Sequence, residues 1–296
     1  MKNIAIVGMG NWGKNLIYEF NKISNIMFCT STGNSKNILW LKKYYPNIKY
    51  VQEFSNIVNN PLIDAIVIAT PINSHYKLVK KSLECGKNVF VEKPLATNYK
   101  NAKDLYDLAK NNDVSLFVGH IFLYNQIFKK IQNIIKNEKI EFIKFDWNKT
   151  GLFSQNIFLD LVSHEFSLAI HLFGLPITIK LLYSENLYSK NDLICIESKF
   201  KNQVKCLMNI NRCSNFKRKS ITIKSSKNIY VCEDNTMYRF SPKTLQFTNY
   251  FKTDKTPLEI ECKEFVKNIK LAKKDFSNAK NAVNVINVLE KFGFLK

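Results

Sequence analysis

The chain opens with Asn3-Ile4-Ala5-Ile6-Val7-Gly8-Met9-Gly10-Asn11-Trp12-Gly13, the stretch that decides the fold. A short apolar strand leads into G-x-G-x-x-G, and an amphipathic helix carrying Leu16, Ile17 and Phe20 follows. In this context Gly8 permits a tight turn, Gly10 lets the backbone approach a pyrophosphate, and Gly13 allows close packing of helix on strand. The helix start supplies free N–H groups for the phosphates. We therefore expect Gly8, Gly10, Asn11, Trp12 and Gly13 to bind NAD or NADP.

The second strand, residues 25–30, is where a typical NAD site places an acidic residue on the adenosine ribose. No Asp or Glu occurs between Glu19 and Glu53, and the turn after the strand carries hydroxyl groups and Lys36 instead. These groups could accommodate a 2′-phosphate, although no arginine lies there. We expect Thr30, Ser31 and Thr32 to line this part of the coenzyme site, and the choice between NAD and NADP stays open.

Strand-like and helix-like segments alternate up to about residue 120, which predicts a doubly wound, mostly parallel sheet. One apolar strand, residues 65–69, runs into Thr70-Pro71, and His75 opens the next helix. Ligands in such folds bind at the carboxyl ends of the strands. We expect Thr70, Pro71 and His75 to contribute to coenzyme binding.

The strand Val89-Phe90-Val91 delivers Glu92-Lys93-Pro94 to the same edge of the predicted sheet. A lysine that is partly desolvated beside a carboxylate can carry a proton or face a developing alkoxide. An isolated Glu-Lys-Pro would more often mark a solvated strand end. Its position after the glycine turn, in the same predicted sheet, favours a functional site instead. We expect Glu92 and Lys93 at the coenzyme, with Lys93 also catalytic and in contact with substrate.

Beyond His120 the pattern changes to longer strands separated by Asn, Ser and Lys turns, with two helices at the end. This predicts an NAD(P)-binding domain over residues 1–120. A substrate and oligomerisation domain over residues 121–296 would be α+β, with a large, mostly antiparallel open sheet.

A second candidate constellation lies in the predicted helix over residues 157–173. Asp160 and His164 are four residues apart and would share a helix face, so that the carboxylate could orient the imidazole as a general base. Taken alone, this spacing would more often mark an ordinary structural Asp-His pair than a catalytic one. His120 and Tyr124 follow the last strand of the first domain, and we expect both to contact substrate.

The net charge of +20 raises the question of nucleic-acid binding. Only three of the 44 basic residues are arginines, the usual readers of bases and phosphates, and the lysines are dispersed along the chain. We therefore expect no nucleic-acid partner. Seven scattered cysteines without a C-x-x-C motif indicate reduced thiols in a cytoplasmic protein, with no zinc site. Since no run approaches the roughly 18 apolar residues of a membrane span, we expect no membrane association.

Taken in order, the Gly8–Gly13 turn, Thr70-Pro71-x-x-x-His75, Glu92-Lys93-Pro94 and Asp160-x-x-x-His164 resemble the Gfo/Idh/MocA oxidoreductases. The resemblance implies a Rossmann domain for NAD or NADP and a second domain whose open sheet forms homodimers or homotetramers. It also implies that Lys93, Asp160 and His164 are catalytic and that the Lys93–Pro94 peptide bond is cis.

Finer patterns around Trp12, Phe122 and Arg212 resemble the branch that acts on nucleotide-linked sugars, including UDP-N-acetylglucosamine 3-dehydrogenases. The implied activity is oxidation of a ring hydroxyl, at C3, in surface-sugar biosynthesis. Ser167 departs from the family, because an Asp often stands there, and the ribose acid is also missing. An inositol or free-sugar dehydrogenase, or a catalytically silent NAD(P)-binding sensor, remains an alternative.

Overall fold

The structure is a computed structural model that describes residues 1–150, 156–201 and 203–295. The chain divides into two compact units, each considered by itself below. The first unit comprises Met1–Ile121 and Leu258–Ile286, and the second comprises Phe122–Pro257 and Asn287–Lys296. The sequence predicted that everything after residue 120 forms one domain. This is wrong for the carboxyl-terminal helices, because Leu258–Ile286 packs in the first unit.

The first unit contains a six-stranded parallel sheet with strand order β3-β2-β1-β4-β5-β6. This is the doubly wound order in which the direction of winding reverses between β1 and β4, where ligands bind. Its strands are β1 Asn3–Val7, β2 Asn25–Thr30, β3 Lys49–Tyr50, β4 Ala65–Ile68, β5 Asn88–Glu92 and β6 Leu116–Gly119. Its helices are α1 Asn11–Asn21, α2 Ser35–Tyr44, α3 Phe54–Val58, α4 His75–Glu84 and α5 Tyr99–Asn111.

The central strands are buried on both faces, which explains their continuous runs of Ile, Val and Phe. An aromatic cluster anchors the helix α8 Pro257–Lys270 to this core. Phe265 of α8 packs against Phe20, Phe90 and Phe117 with ring centroids 5.6–6.0 Å apart. Burial of these rings is the physical reason why α8 belongs to the first unit.

The second unit contains an eight-stranded sheet with order β14-β13-β12-β11-β7-β10-β9-β8. Among the described residues of this sheet only the β7–β10 pair is parallel, so the predicted large, mostly antiparallel sheet is confirmed. Its strands are β7 Ile140–Thr150, β8 Thr178–Glu185, β9 Leu193–Lys199, β10 Lys205–Asn211, β11 Cys213–Ser225, β12 Ile229–Glu233, β13 Thr236–Ser241 and β14 Gln246–Lys252. Helices α6 Gln126–Asn137 and α7 Ser163–Phe173 also belong to this unit, and α9 Ser277–Lys291 ends in it.

The predicted helix over residues 157–173 is not a single α-helix. A π-helical turn, Phe158–Val162, precedes α7, and Gly174 ends α7 as expected. Such π-turns are rare and often occur at functional sites.

In the described part of the chain, no helix is both long and apolar enough to cross a membrane. Within the same residues, no group of three or more His, Cys, Asp or Glu side chains could hold a metal ion. All seven cysteines are free thiols.

Candidate active site

The glycine turn between β1 and α1 has the geometry that a dinucleotide requires. Gly8 adopts φ +104°, and a Cβ there would collide with the carbonyl of Ala69. A Cβ on Gly13 would collide with the carbonyl of Gly8, so the first turn of α1 can approach β1 only with glycine at this position. At Gly10, by contrast, a Cβ would meet no other atom within 4 Å, so the space beside this residue is open.

The amino terminus of α1 is capped by Gly10, which has no side chain to bond the first N–H groups of the helix. Those N–H groups and the positive end of the helix dipole favour a phosphate at this point. The open space at Gly10 and the uncapped helix start thus fit the pyrophosphate of NAD or NADP, which Gly8, Gly10, Asn11, Trp12 and Gly13 would hold.

The turn after β4 is tied to the turn after β5 by one buried imidazole. His75 Nδ1 lies 2.9 Å from the carbonyl oxygen of Pro94, and Nε2 lies 2.8 Å from that of Thr70. The hydroxyls of Thr70 and Ser74 are 2.7 Å apart, and Ser74 also donates to the carbonyl of Pro71. His75 therefore supports the Thr70-Pro71 turn through its ring and orients the backbone next to Lys93.

At the end of β5 the Glu92 carboxylate accepts a hydrogen bond from the indole N–H of Trp12. It lies directly over Gly119, where a Cβ would stand 2.9–3.0 Å from the carboxyl atoms. Burial raises the pKa of Glu92, and the indole hydrogen bond and the charge of Lys93 oppose that shift. Trp12 and Glu92, both expected at the coenzyme, are thus brought together and join the glycine turn to the Lys93 strand.

Lys93 is half-buried at the same edge, and its peptide bond to Pro94 is cis, as the resemblance implied. His120, at the end of β6, is fully buried. Burial, reinforced by the positive charge of Lys93, lowers the pKa of His120 to about 3, so its imidazole is neutral at pH 7. An ammonium group next to a neutral imidazole can donate or relay a proton.

At the predicted ribose turn the three hydroxyl residues differ in their surroundings. The Thr30 hydroxyl donates to the carbonyl of Gln52, and the Thr30 carbonyl accepts the N–H of Gly8 at 2.8 Å. The Ser31 hydroxyl is buried without a hydrogen-bond partner among the described residues, whereas Thr32 is exposed. Of the three, Thr32 is therefore the residue exposed at this turn, and the Ser31 hydroxyl is enclosed by the protein.

In the second unit His164 lies in the first turn of α7 and is 7% exposed. Its imidazole packs edge-on against Phe122, with ring centroids 5.0 Å apart, and against Trp147 at 5.5 Å. Asp160 lies in the π-helical turn that precedes α7, so its four-residue spacing to His164 is not that of a regular α-helix. Tyr124 is half-buried at the end of a 3₁₀ turn, Ile121–Tyr124.

Ser167, the residue that departs from the family pattern, is buried, and its hydroxyl donates to the carbonyl of His164 at 2.7 Å. It thus bonds within its own helix. Arg212, quoted for the sugar-nucleotide resemblance, forms a buried ion pair with Asp192 at 3.0 Å. Arg218 pairs with Glu233 on the neighbouring strand β12. Through these bonds both arginines stabilise the sheet and its loops.

Sequence reasoning missed a buried ion pair next to His164. Glu165 is 1% exposed and bonds the ammonium of Lys219, which lies 3.6 Å from the ring centroid of Trp147 and 4.3 Å from that of Phe122. The same two rings contact His164. The sequence does signal Glu165, because it is a charged residue within the otherwise apolar helix over residues 163–173.

Sequence reasoning also missed Glu261 in the first unit. It lies on α8 next to Cys262 and one turn before Phe265, and it is completely buried. Burial, followed by the negative charge of Glu92, raises the pKa of Glu261 well above its ordinary value. A carboxylate within the apolar stripe of the helix was the sequence signal.

Comparisons with known proteins agree with this geometry. Residues 2–120 match the family model GFO_IDH_MocA, described as an oxidoreductase family with an NAD-binding Rossmann fold. An uncharacterized oxidoreductase, YdgJ of Escherichia coli, is 31% identical over 153 residues, which is 47% of this chain and 44% of that protein. The scyllo-inositol 2-dehydrogenase (NADP(+)) IolW of Bacillus subtilis is 26% identical over 150 residues, covering 46% of this chain and 42% of that protein. The matched region thus spans less than half the length of these relatives.

Among solved structures, the UDP-N-acetylglucosamine 3-dehydrogenase GnnA of Acidithiobacillus ferrooxidans superposes with a TM-score of 0.89. It is 14% identical and covers 99% of both chains. At this identity the likeness shows the fold, in agreement with the predicted α/β architecture with two sheets.

Proposed function

We propose that this chain is an NAD(P)-dependent dehydrogenase acting on a CH–OH group, because residues 2–120 match the model of the Gfo/Idh/MocA oxidoreductase family. The proposed substrate is a nucleotide-linked sugar, and the proposed reaction is oxidation of its C3 hydroxyl in surface-sugar biosynthesis. The structural likeness to a UDP-N-acetylglucosamine 3-dehydrogenase over the whole chain supports this substrate class. The high positive charge of the chain would favour anionic sugar nucleotides further.

The main observation in support of the proposal is the local environment of Lys93. Lys93 is half-buried at the carboxyl edge of the sheet, next to Glu92 and to a neutral His120, in the unit that holds the glycine turn. A bound nicotinamide ring accepts a hydride from the carbinol carbon. The ammonium of Lys93 would stabilise the negative charge that develops on the substrate oxygen as its proton leaves.

Lys93 and His164 are both candidates for the group that takes the hydroxyl proton. The second unit offers His164 as a shielded imidazole between Phe122 and Trp147, and Asp160 lies in the preceding turn. A base acts best when its pKa lies near the working pH, which favours an imidazole for this role. We propose His164 as the base and Asp160 as its positioning residue.

The test is the absorbance of the reduced coenzyme. Purified protein is mixed with NAD+ or NADP+ and a panel of UDP-sugars, myo- and scyllo-inositol, and free glucose. In parallel, 2-oxoglutarate is added to recycle tightly held coenzyme. Reduction with a UDP-sugar, followed by identification of a 3-keto product, is the expected result. Coenzyme binding without reduction by any member of the panel would contradict the proposal and favour a sensor.

A second candidate function is inositol oxidation. It is favoured by the sequence similarity to scyllo-inositol 2-dehydrogenase (NADP(+)) and to the myo-inositol 2-dehydrogenase of Thermotoga maritima, which is 25% identical over 182 residues. Reduction of coenzyme with an inositol, but not with UDP-sugars, in the same panel would select this candidate.

We also propose that the chain forms a homodimer or homotetramer through its second unit. The edge strand β8 exposes Leu181, Leu182 and Tyr183, each more than 40% accessible. Exposed apolar groups that lie together commonly mark interfaces. Sedimentation of the wild type should give a dimer or tetramer and that of the variant Leu182→Asp/Tyr183→Asp a smaller species, whereas a monomeric wild type would refute the proposal.

A further inference from the structure

Lys219 of β11 contacts the same two aromatic rings as His164. Its ammonium nitrogen lies 3.6 Å from the ring centroid of Trp147 and 4.3 Å from that of Phe122. The imidazole of His164 lies 5.5 and 5.0 Å from the same two centroids, and the two rings pack edge to face, 5.5 Å apart. A cation this close to an aromatic ring is attracted by the negative charge of the ring face. The ammonium and the imidazole therefore share one pair of rings.

The register of the sheet explains why Lys219 lies on Trp147. The two residues are direct partners across the antiparallel strands β11 and β7. Side chains that stand opposite each other in such a pair point to the same face of the sheet. Ile143 and Phe145 of β7 share that face with Trp147, and both are fully buried. Strand pairing thus brings the cation to the covered face of the sheet, where a charge needs a partner.

The partner of Lys219 is Glu165, the residue that follows His164 in the first turn of α7. The Glu165 side chain is buried, and its carboxylate accepts a hydrogen bond from the ammonium of Lys219. Breaking a buried ion pair is costly, because the remaining charge has lost its partner. The pair therefore ties the helix turn that carries His164 to β11, in addition to the shared aromatic contacts.

From these contacts we propose that Lys219 is a positioning residue for the imidazole of His164. Its ammonium holds the rings of Trp147 and Phe122 as the walls against which the imidazole packs. Its bond to Glu165 holds the helix turn from which the imidazole projects. A base that is held in one orientation toward its substrate accelerates the reaction more than one that samples several. This effect on catalysis rests on the proposed function, in which His164 takes the hydroxyl proton, whereas the positioning of the ring does not.

Two variants separate positioning from stability. The single variant Lys219→Met leaves Glu165 buried without its partner, so its activity would mix both effects. The double variant Lys219→Met/Glu165→Gln carries neither charge and should be considerably more stable, but it still lacks the cation on the rings. Lys219→Arg keeps a cation that can bond a carboxylate and lie over an aromatic ring, so it should preserve the position of the imidazole.

The first experiment observes the imidazole directly by NMR at pH 8, without coenzyme or substrate. The ring protons of His164 are shifted by the neighbouring aromatic rings, and their resonances are assigned with the variant His164→Asn. They should move in the double variant and stay close to wild type in Lys219→Arg. His171, which contacts Phe128 near the end of the same helix, is the internal control and should not move. Unchanged His164 resonances in the double variant would overturn the proposal.

The second experiment measures turnover with the sugar that reduces the coenzyme. In the double variant kcat should fall about 10- to 100-fold while KM stays within about threefold, because the base is misplaced and substrate binding is kept. Lys219→Arg should keep kcat within about fivefold of wild type. The matched control is Lys224→Met/Glu141→Gln, which removes an exposed ion pair from the same two strands and should behave like wild type. A double variant with wild-type kcat would show that the pair only stabilises the fold.

The two experiments fail in different ways. If no sugar or inositol supports turnover while the His164 resonances move in the double variant, the proposed function is wrong and the positioning by Lys219 stands. If wild type oxidises a sugar and the His164 resonances do not respond, the positioning role is wrong and the proposed function stands.

Discussion

The imidazole of His75 lies against the backbone of Pro94, with Nδ1 2.9 Å from the carbonyl oxygen. On the other side of the ring, Nε2 lies 2.8 Å from the carbonyl of Thr70. Burial lowers the pKa of His75 although both carbonyls favour the charged ring, so the ring is neutral and donates to one carbonyl at a time. One side chain thereby couples the turn after β4 to the peptide that follows Lys93.

Replacing His75 with Phe should loosen this connection while keeping the ring volume. We expect the free energy of unfolding to fall by about 1–3 kcal/mol, because a buried carbonyl loses its donor. Coenzyme affinity should fall as well, since the Thr70-Pro71 turn loses its support. Urea unfolding and NADH titration measure the two effects. The control is His171→Phe in the second unit, and a His75→Phe variant as stable as this control would argue against the coupling.

Lys93→Met tests the proposed role of the amine. Methionine has a similar length and no charge, so we expect turnover to be abolished while the dissociation constant of the coenzyme changes by less than about threefold. The reason is that Lys93 would interact with the charge on the reacting oxygen, and such interactions are stronger in the transition state than in the ground state.

The control for Lys93→Met is Lys103→Met, which removes an exposed lysine that pairs with Asp107 on α5 at 2.5 Å. Its turnover should match that of wild type. Substantial residual activity of Lys93→Met, measured beside this control, would remove Lys93 from the reaction.

Much of the first unit could be predicted because its signals are local. The G-x-G-x-x-G motif lies between a strand and a helix, and the apolar strands alternate with helices at the spacing of a parallel sheet. The rule that ligands bind at the carboxyl ends of the strands then identifies candidate site residues there, such as Thr70 and Glu92.

The position of α8 could not be predicted in the same way. Its apolar stripe around Phe265 shows that one face is buried but not which core it enters, and sequence order suggested the second domain. The π-helical turn at Phe158–Val162 was also missed, because over five residues its apolar pattern differs little from that of an α-helix.

The surroundings of the buried charged residues could not be predicted either, because the residues that act on them are distant in sequence. Glu165 and Lys219 are 54 residues apart, and the charge of Glu92, which lies on a different element, raises the pKa of Glu261. A charge in an apolar stripe can be seen in the sequence, but its partner and its protonation depend on tertiary packing.

The Lys219–Glu165 pair predicts a strong asymmetry between single and double variants. Burial raises the pKa of Glu165 and lowers that of Lys219, while each charge counteracts the shift of the other. Lys219→Met should therefore destabilise the protein by about 3–5 kcal/mol, because it leaves a buried carboxyl without its partner.

The double variant Lys219→Met/Glu165→Gln should recover much of this loss, since neither charge remains. Urea unfolding of the wild type, both single variants and the double variant completes the cycle. Additive effects of the two substitutions would show that the ion pair does not couple them. The near-ultraviolet circular dichroism of each variant, to which Trp147 contributes together with Trp12 and Trp40, reports whether the aromatic packing is kept.

His120 should make the stability of the protein sensitive to acid. Burial, together with the charge of Lys93, lowers its pKa from 6.5 to about 3. Below pH 6.5 the unfolded chain therefore binds a proton that the folded chain rejects, so this contribution to stability is present above pH 6.5 and is lost as pH falls toward 3. For one such group the free energy of unfolding should fall by up to about 1.4 kcal/mol per pH unit.

His120→Gln removes the titrating group, and its unfolding free energy should decline less steeply than that of wild type between pH 6.5 and about 5, where most carboxylates remain ionised. The measurement is a urea titration at each pH, and parallel profiles for the two proteins would mean that His120 is protonated in the folded state.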